Sequence, residues 1–392
     1  MNFIDEFRDK ESILALKKLI EQELKNPINI MEICGGHTHS IMKYALPSIL
    51  PKEINFIHGP GCPVCVMPRV RIDTAIKLAS MKDTIFCTLG DLLRVPGSEI
   101  SLLDLRAKGA DVRALYSPLE VLEIAKQNLN KNIIFFAIGF ETTTPMSALL
   151  LQKVIEEKIN NVFFHINHIT VPAPVEAIMN DENVKINAFL GPSHVNHITV
   201  PAPVEAIMND ENVKINAFLG PSHVSVITGY GIYEPLAAKF KTPIAVSGFE
   251  PVDILESVLN IIKQSNEGTF KVYNQYKRAV SKEGNVKAQN LVKKYFRVCD
   301  FEFRGLGLIK DGGLELKEEF SAYDASKKFD CTVQSKNESK ACICGQILRG
   351  LAKPYDCKVF GKACTPRSPI GSCMVSGEGA CAAYYKYSKV NA

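Results

Sequence analysis

Three cysteines and three histidines stand within residues 34–65. Cys34-Gly35-Gly36-His37-Thr38-His39 is followed by His58-Gly59-Pro60-Gly61-Cys62-Pro63-Val64-Cys65. Thiolate is a soft ligand suited to iron, zinc or Cu(I), and imidazole is a borderline partner, so the mixed set points to a transition metal rather than calcium or magnesium. The glycines let the backbone approach a ligand closely. Cys62-x-x-Cys65 has a second possible chemistry, because two thiols at this spacing also cycle between dithiol and disulfide. The bland alternative is an inert buried pair, since free cysteine is commonly a core residue.

A second thiol group lies near the C-terminus. Cys342, Cys344, Cys357, Cys364, Cys373 and Cys381 alternate with Gly345, Pro354, Gly361, Pro366, Pro369, Gly371 and Gly379, and little apolar sequence separates them. Such a segment folds around an inorganic centre more readily than around a core. Four thiolates hold either a [4Fe-4S] cluster or a zinc ion. The spacing matches neither the paired knuckles of zinc ribbons nor the compact ferredoxin run, so ligand softness and a reducing compartment place iron–sulfur ahead of zinc, and zinc ahead of disulfides.

The elements that must position these groups alternate regularly. Apolar runs at 28–33, 54–57, 84–88, 112–116, 133–138, 162–166 and 244–246 read as strands, and most lead through a polar or glycine-rich turn into a helical stretch. This alternation predicts an α/β fold with parallel sheets covered by helices. The polar turns sit after the strands, where ligands bind in open α/β sheets, so they are expected to converge on one cleft. Residues 1–125 and 126–265 read as two βα domains forming it, the second carrying Gly139-Phe140-Glu141-Thr142-Thr143-Thr144-Pro145. Residues 266–392 read as a charged helical connector and the cysteine-rich domain. Pro145 is well placed to start a helix. Some of these turns need be no more than caps and tight turns.

Bulk properties exclude several classes. The chain has 392 residues, 46% hydrophobic, with a net charge of +4 and no aromatic-interleaved basic stripe, so nucleic acid is not an expected partner. The N-terminal segment is charged and amphipathic, without the apolar core of a signal peptide, and no apolar run reaches the roughly 18 residues of a membrane span. A soluble, cytoplasmic protein is expected. Twelve cysteines there are more in keeping with metal or redox chemistry than with structural disulfides.

An identical tandem repeat interrupts the alternation. Residues 167–195, NHITVPAPVEAIMNDENVKINAFLGPSHV, recur letter for letter at 196–224. Solenoids need about three diverged copies to bury a continuous core, so this is a recent duplication or a sequence-assembly error, not a repeat architecture. Each copy encodes one helix (174–179 or 203–208) and one strand (185–190 or 214–219). A parallel sheet has no slot for both, so one unit is expected to be extruded.

Five ordered motifs, Cys-Gly-Gly-His-Thr-His at 34–39, Gly-Pro-Gly-Cys-Pro-Val-Cys at 59–65, Gly-Phe-Glu-Thr-Thr-Thr-Pro at 139–145, Phe-Arg-Gly-Leu-Gly at 303–307 and Cys-Met-Val-Ser-Gly-Glu-Gly-Ala-Cys at 373–381, closely resemble the HypD family of [NiFe]-hydrogenase maturation factors. The resemblance runs from about residue 28 to the C-terminus. It implies a scaffold that, with the small partner HypC, holds Fe(II) while cyanide and carbon monoxide are attached. The Fe(CN)2CO unit is then passed to the hydrogenase large subunit, with cyanide arriving from HypE after HypF. By matching motifs, Cys34, His37, Cys62 and Cys65 fall on the iron-site positions, with Cys34 the expected shared thiolate. Cys62 and Cys65 either ligate or supply electrons as a dithiol.

The same resemblance implies a [4Fe-4S] cluster on Cys342, Cys357, Cys364 and Cys381, beside a redox-active pair, Cys344 and Cys373. Cys342 and Cys344 are close enough in sequence to exchange these roles. Glu141, Thr142, Thr143, Asn167 (or Asn196) and His168 (or His197), at strand ends, are candidates to hydrogen-bond the cyanide nitrogens or orient ligands. A cap or turn is the competing role for each. Cys87, Cys299 and Cys331 are read as structural. The family pattern carries the duplicated segment once. A second function class, a cluster-linked disulfide reductase using Cys62 and Cys65 on a thiol substrate, fits the same residues; a zinc-stabilised binding module leaves the first cysteine–histidine group idle.

Overall fold

Described in the computed structural model are residues 5–170, 216–220, 222–336 and 339–388. Short apolar runs make the strands β1 (Ile28–Glu32), β2 (Ile54–His58), β3 (Thr84–Leu89), β4 (Val112–Leu115), β5 (Asn132–Gly139), β6 (Val162–His168), β7 (Ala217–Gly220), β8 (Ile244–Val246) and β9 (Val272–Asn274). They form two sheets, ordered β2-β1-β7-β8-β9 and β4-β3-β5-β6, with every neighbouring pair parallel. Parallel strands covered on both faces read as continuous apolar runs, and β5 and β6 are buried almost throughout. The α/β class expected from the alternation is the one observed.

Sheet membership differs from the expected division at residue 125. β1 and β2 pair with strands beyond residue 216, whereas β3 and β4 pair with β5 and β6, so the first sheet is discontinuous in sequence. Periodicity marks a strand but does not encode its partner. The charged stretch after residue 265 is also less helical than expected. It places β9 on the edge of the first sheet before the helix Val286–Tyr295. An antiparallel hairpin follows, β10 (Phe296–Phe303) and β11 (Gly307–Leu316), with the Phe-Arg-Gly-Leu-Gly motif as its turn. Gly305 and Gly307 adopt φ of 81° and 79° there, the left-handed region that favours glycine.

Helices cover the sheets with recognisable ends. Pro145 lies in the first turn of helix Thr144–Glu156. Helix Pro251–Glu267 starts from a reciprocal Glu250/Asp253 cap and stops at Gly268, φ 63°. It packs with helix Lys10–Glu23 over Ile30, Phe56 and Leu219 of the first sheet. The opposite core, under the second sheet, joins Phe86, Ile134 and Phe136 to Cys62, Cys65, Cys344, Cys373 and Cys381 in one apolar cluster. Among the described residues no helix is long and apolar enough to cross a membrane.

The duplication is divided between its two copies. Asn167 and His168 complete β6 and come from the first copy, while Ala217–Gly220 and the helix Ser222–Thr228 come from the second. Chain continuity forces this. Only the first copy follows Ile166, and using the first copy through Val195 would place the 29 residues 196–224 between Val195 and Ser225, inside that helix. The expected helices at 174–179 and 203–208 and the strand at 185–190 lie outside the described residues. The connection from Thr170 to Asn216 spans 45 residues, where one copy alone leaves 16. Deletion of residues 171–199, which returns the sequence to one copy, is expected to leave the fold and its stability intact, checked by chemical denaturation.

Candidate metal and thiol centre

Cys34 sits where β1 gives way to helix Gly35–Lys43 and is that helix's N-cap residue. Three glycines let other chain segments close around it. A Cβ on Gly61 would run into the Cys34 backbone, one on Gly35 into Glu378, and one on Gly36 into the rings of Phe249 and His223. The thiol is buried, and burial, with the Glu378 and Glu32 carboxyls nearby, pushes it up to about 12 against the backbone hydrogen bond from Gly36. At neutral pH it is therefore a protonated thiol, not a ready nucleophile.

A polar side chain within reach of the thiol is one the sequence did not single out. His223, from Gly220-Pro221-Ser222-His223-Val224 at the end of β7, places Nδ1 3.7 Å from Cys34 Sγ. Its ring stacks on Phe249, with centroids 4.2 Å apart. Cys34, Gly61, Thr142, Thr143, His223 and Glu378 line a cavity of about 130 Å³. It shares Thr143, His223 and Glu378 with a larger cavity of about 860 Å³, whose walls come from both sheets and the C-terminal segment. Burial, then Asp91 and Glu32, holds the Glu378 carboxyl above its usual range. Carboxyls that resist ionisation and raise a thiol are an environment that a cation would relieve.

The three histidines of the cysteine-rich turns are already engaged. His37 Nε2 donates to the Ser247 and Gly248 carbonyls, at 3.0 and 3.2 Å, and its Nδ1 has no hydrogen-bond partner among the described residues. His39 meets Tyr387 and the Gly377 carbonyl. His58 lies between Glu32 and Tyr384. Cys62 caps helix Pro63–Val66, and Cys62 and Cys65 form a disulfide with Cα atoms 5.2 Å apart.

The strand-end candidates divide into two groups. Thr142 and Thr143 reach the Cys34 cavity, Thr143 while donating to the Ile138 and Phe140 carbonyls. Glu141 lies on the same turn, partly buried. His168 is fully buried against the second sheet, donating from Nδ1 to the Gly139 carbonyl and accepting at Nε2 from Ser147. Asn167, also fully buried, donates to the His165 carbonyl. Asn196 and His197 lie outside the described residues.

In the C-terminal segment, Cys342 and Cys344 place their sulfurs 3.2 Å apart, and Cys344 is within hydrogen-bonding reach of Cys373 and Cys381. Cys357 donates to the Ala341 carbonyl beside Cys342, and Cys364 accepts from the Ile370 amide. Hydrogen bonds among Cys342, Cys344 and Cys373, then burial, raise the Cys344 thiol well above its ordinary range. The Gly371 backbone lies directly against the Cys342 and Cys344 sulfurs, and a Cβ there would strike both. Among the described residues no group of three or more His, Cys, Asp or Glu already forms a metal-holding arrangement.

The fold and its thiols define a two-sheet α/β protein with a buried cysteine at the strand ends and a cysteine-rich C-terminal region. A family profile described as HypD, Hydrogenase formation hypA family, matches residues 10–200 and 195–388, and the two matches meet within the duplicated stretch. Hydrogenase maturation factor HypD2 of Bradyrhizobium diazoefficiens is 44% identical over 99% of this chain and 97% of its own. Hydrogenase maturation factor HypD of Azotobacter vinelandii is 42% identical over 99% and 97%, and that of Escherichia coli 39% over 99% and 98%. The chain belongs to the HypD family of hydrogenase maturation factors.

Proposed function

We propose that this protein, with a HypC partner, holds Fe(II) as its cargo while the Fe(CN)2CO unit is assembled, receiving cyanide by way of HypE and HypF and passing the unit to a hydrogenase large subunit. The observation that carries this is the small cavity at the strand ends, with Cys34 on one side and His223 3.7 Å away. Cys34 supplies the thiolate, whose proton must leave as the metal enters, so loading releases a proton. His223 Nδ1 is the nearest acceptor for it. His37, through its unbonded Nδ1, is a further candidate ligand. Thr142 and Thr143 border the space that the diatomic ligands would fill, with Glu141 next to them on the same turn.

The six C-terminal thiols fit a resident [4Fe-4S] cluster in donor type and in the bare backbone at Gly371, with Cys342, Cys357, Cys364 and Cys381 as its ligands. The cluster supplies one-electron transfer when bound. Cys344 and Cys373 then stand beside it as a thiol pair. Crowded thiols resist ionisation together, and a metal centre removes that penalty. Gly371→Ala is expected to lower iron and sulfide per chain by more than half in anaerobically purified protein, because the new methyl occupies the space of two sulfurs.

One observation favours a second reading, the cluster-linked disulfide reductase: the Cys62–Cys65 disulfide and the Cys344, Cys373 and Cys381 side chains share one apolar core. Infrared spectroscopy of the anaerobic complex with HypC separates the two. Cyanide and carbonyl stretches support the assembly scaffold; a cluster absorption without them favours the reductase.

A further inference from the structure

We propose that His58 is a positioning residue that ties the Cys34 turn to the helix carrying Cys381 and so sets the placement of the Cys34 thiol. The line of contacts is continuous. The Cys34 amide donates to Glu32 Oε2 at 3.2 Å, His58 Nδ1 donates to Glu32 Oε1 at 2.6 Å, and the Tyr384 hydroxyl donates to His58 Nε2 at 3.0 Å. Thr38 Oγ1 donates to the same Glu32 oxygen. The tautomer follows from the partners, since Glu32 accepts and Tyr384 donates.

All three side chains are buried: Glu32 is 0% exposed, His58 4% and Tyr384 7%. Holding a carboxyl, an imidazole and a phenol out of water is costlier than filling the same space with apolar side chains, so this line is weak as a source of stability. Its geometric product is specific. Glu32 is the last residue of β1, and its carboxyl fixes the direction of the Cys34 amide at the point where the chain turns into helix Gly35–Lys43. Tyr384 is three residues beyond Cys381 on helix Ala380–Tyr387. Tyr387, one turn further along the same face, donates to His39 Nε2 at 3.0 Å, and Gly35 packs on Glu378 just before that helix. A shift of this helix is therefore felt at the Cys34 turn.

The inference rests on Cys34 as the working thiol of the proposed site, and its test reads Cys34 in metal-free protein. Failure here therefore leaves iron assembly untouched. Iodoacetamide labelling of the full chain, with peptide mapping of each cysteine, compares the parent with Tyr384→Phe, which keeps the ring and removes the hydroxyl. Cys34 labelling is expected to rise about fivefold in Tyr384→Phe, the scale of one buried hydrogen bond, with Cys87 labelling unchanged. An unchanged Cys34 rate overturns the proposal, and so does an equal rise at Cys34 and Cys87, which reports general loosening. If Tyr384→Phe does not fold, His58→Asn, which keeps the donor to Glu32 and cannot reach Tyr384, is judged by the same two rates.

Discussion

Under the proposed assembly role, Cys34→Ala is expected to remove the cyanide and carbonyl infrared bands of the anaerobic complex with a HypC partner altogether while leaving the absorption of the proposed C-terminal cluster in place. The first half follows from position. Cys34 is the one thiol lining the 130 Å³ cavity beside His223, and the Cys62 and Cys65 sulfurs are joined to each other. Alanine leaves the backbone hydrogen bond from residue 34 to Glu32 intact, because the amide and not the sulfur makes it. The second half follows from separation of the donor sets, since none of the six C-terminal thiols contacts Cys34 in the hydrogen bonds described. Removing one buried sulfur from a cavity wall is a small stability change, so the circular dichroism melt should move little. Loss of both signals together would mean that Cys34 is structural, and retention of both would place the iron elsewhere.

How far the sequence foretold this arrangement depends on the range over which each feature is encoded. Strands such as 133–138 and 162–166 were legible because an apolar run of this length has few other uses, and Pro145 announced its helix. Sheet membership was not legible, because β1 pairing with β7 is a contact across nearly two hundred residues. That pairing also hid His223. In sequence it is one of four histidines in a duplicated segment, and only the β1–β7 register brings it beside Cys34. The hairpin β10–β11 escaped for another reason: charged residues alternate with Val298, Phe301 and Phe303 along an edge that is half exposed, so no continuous apolar run marks it.

Residue chemistry was more legible than residue geometry. Cys34 stood out in the sequence by its glycine neighbours, and Gly35, Gly36 and Gly61 are sites of close approach by Glu378, Phe249 and the Cys34 backbone. Imidazoles were the ambiguous class. His37, His39 and His58 each contact carbonyls, phenols or a carboxyl, contacts that leave no trace in local spacing. The helix Ala380–Tyr387 explains two of them, and it reaches the N-terminal motifs only through the fold.

The second large effect concerns pH and two other buried histidines. His165 and His168 sit in the second sheet, where burial, reinforced for His165 by Arg71, lowers them to about 3 and about 4. In the unfolded chain both return to about 6.5. Above that pH both states are neutral and neither residue contributes. As pH falls below 6.5 the unfolded chain takes up protons that the folded one refuses, so stability drops through the window from 6.5 towards 4. At pH 5 each histidine is expected to cost about 2 kcal/mol, about 4 kcal/mol for the pair, relative to pH 7. Glu32 and Glu378, raised by burial, act in the opposite direction, because protonation relieves them. Urea denaturation at pH 7 and pH 5 measures the balance, and His165→Gln, whose amide can replace the donor to the Arg71 carbonyl, isolates one contribution. That variant should lose about 2 kcal/mol less than the parent between the two pH values. An equal loss in both proteins would show that His165 is protonated in the native state and that the acid sensitivity arises from other groups, His168 among them.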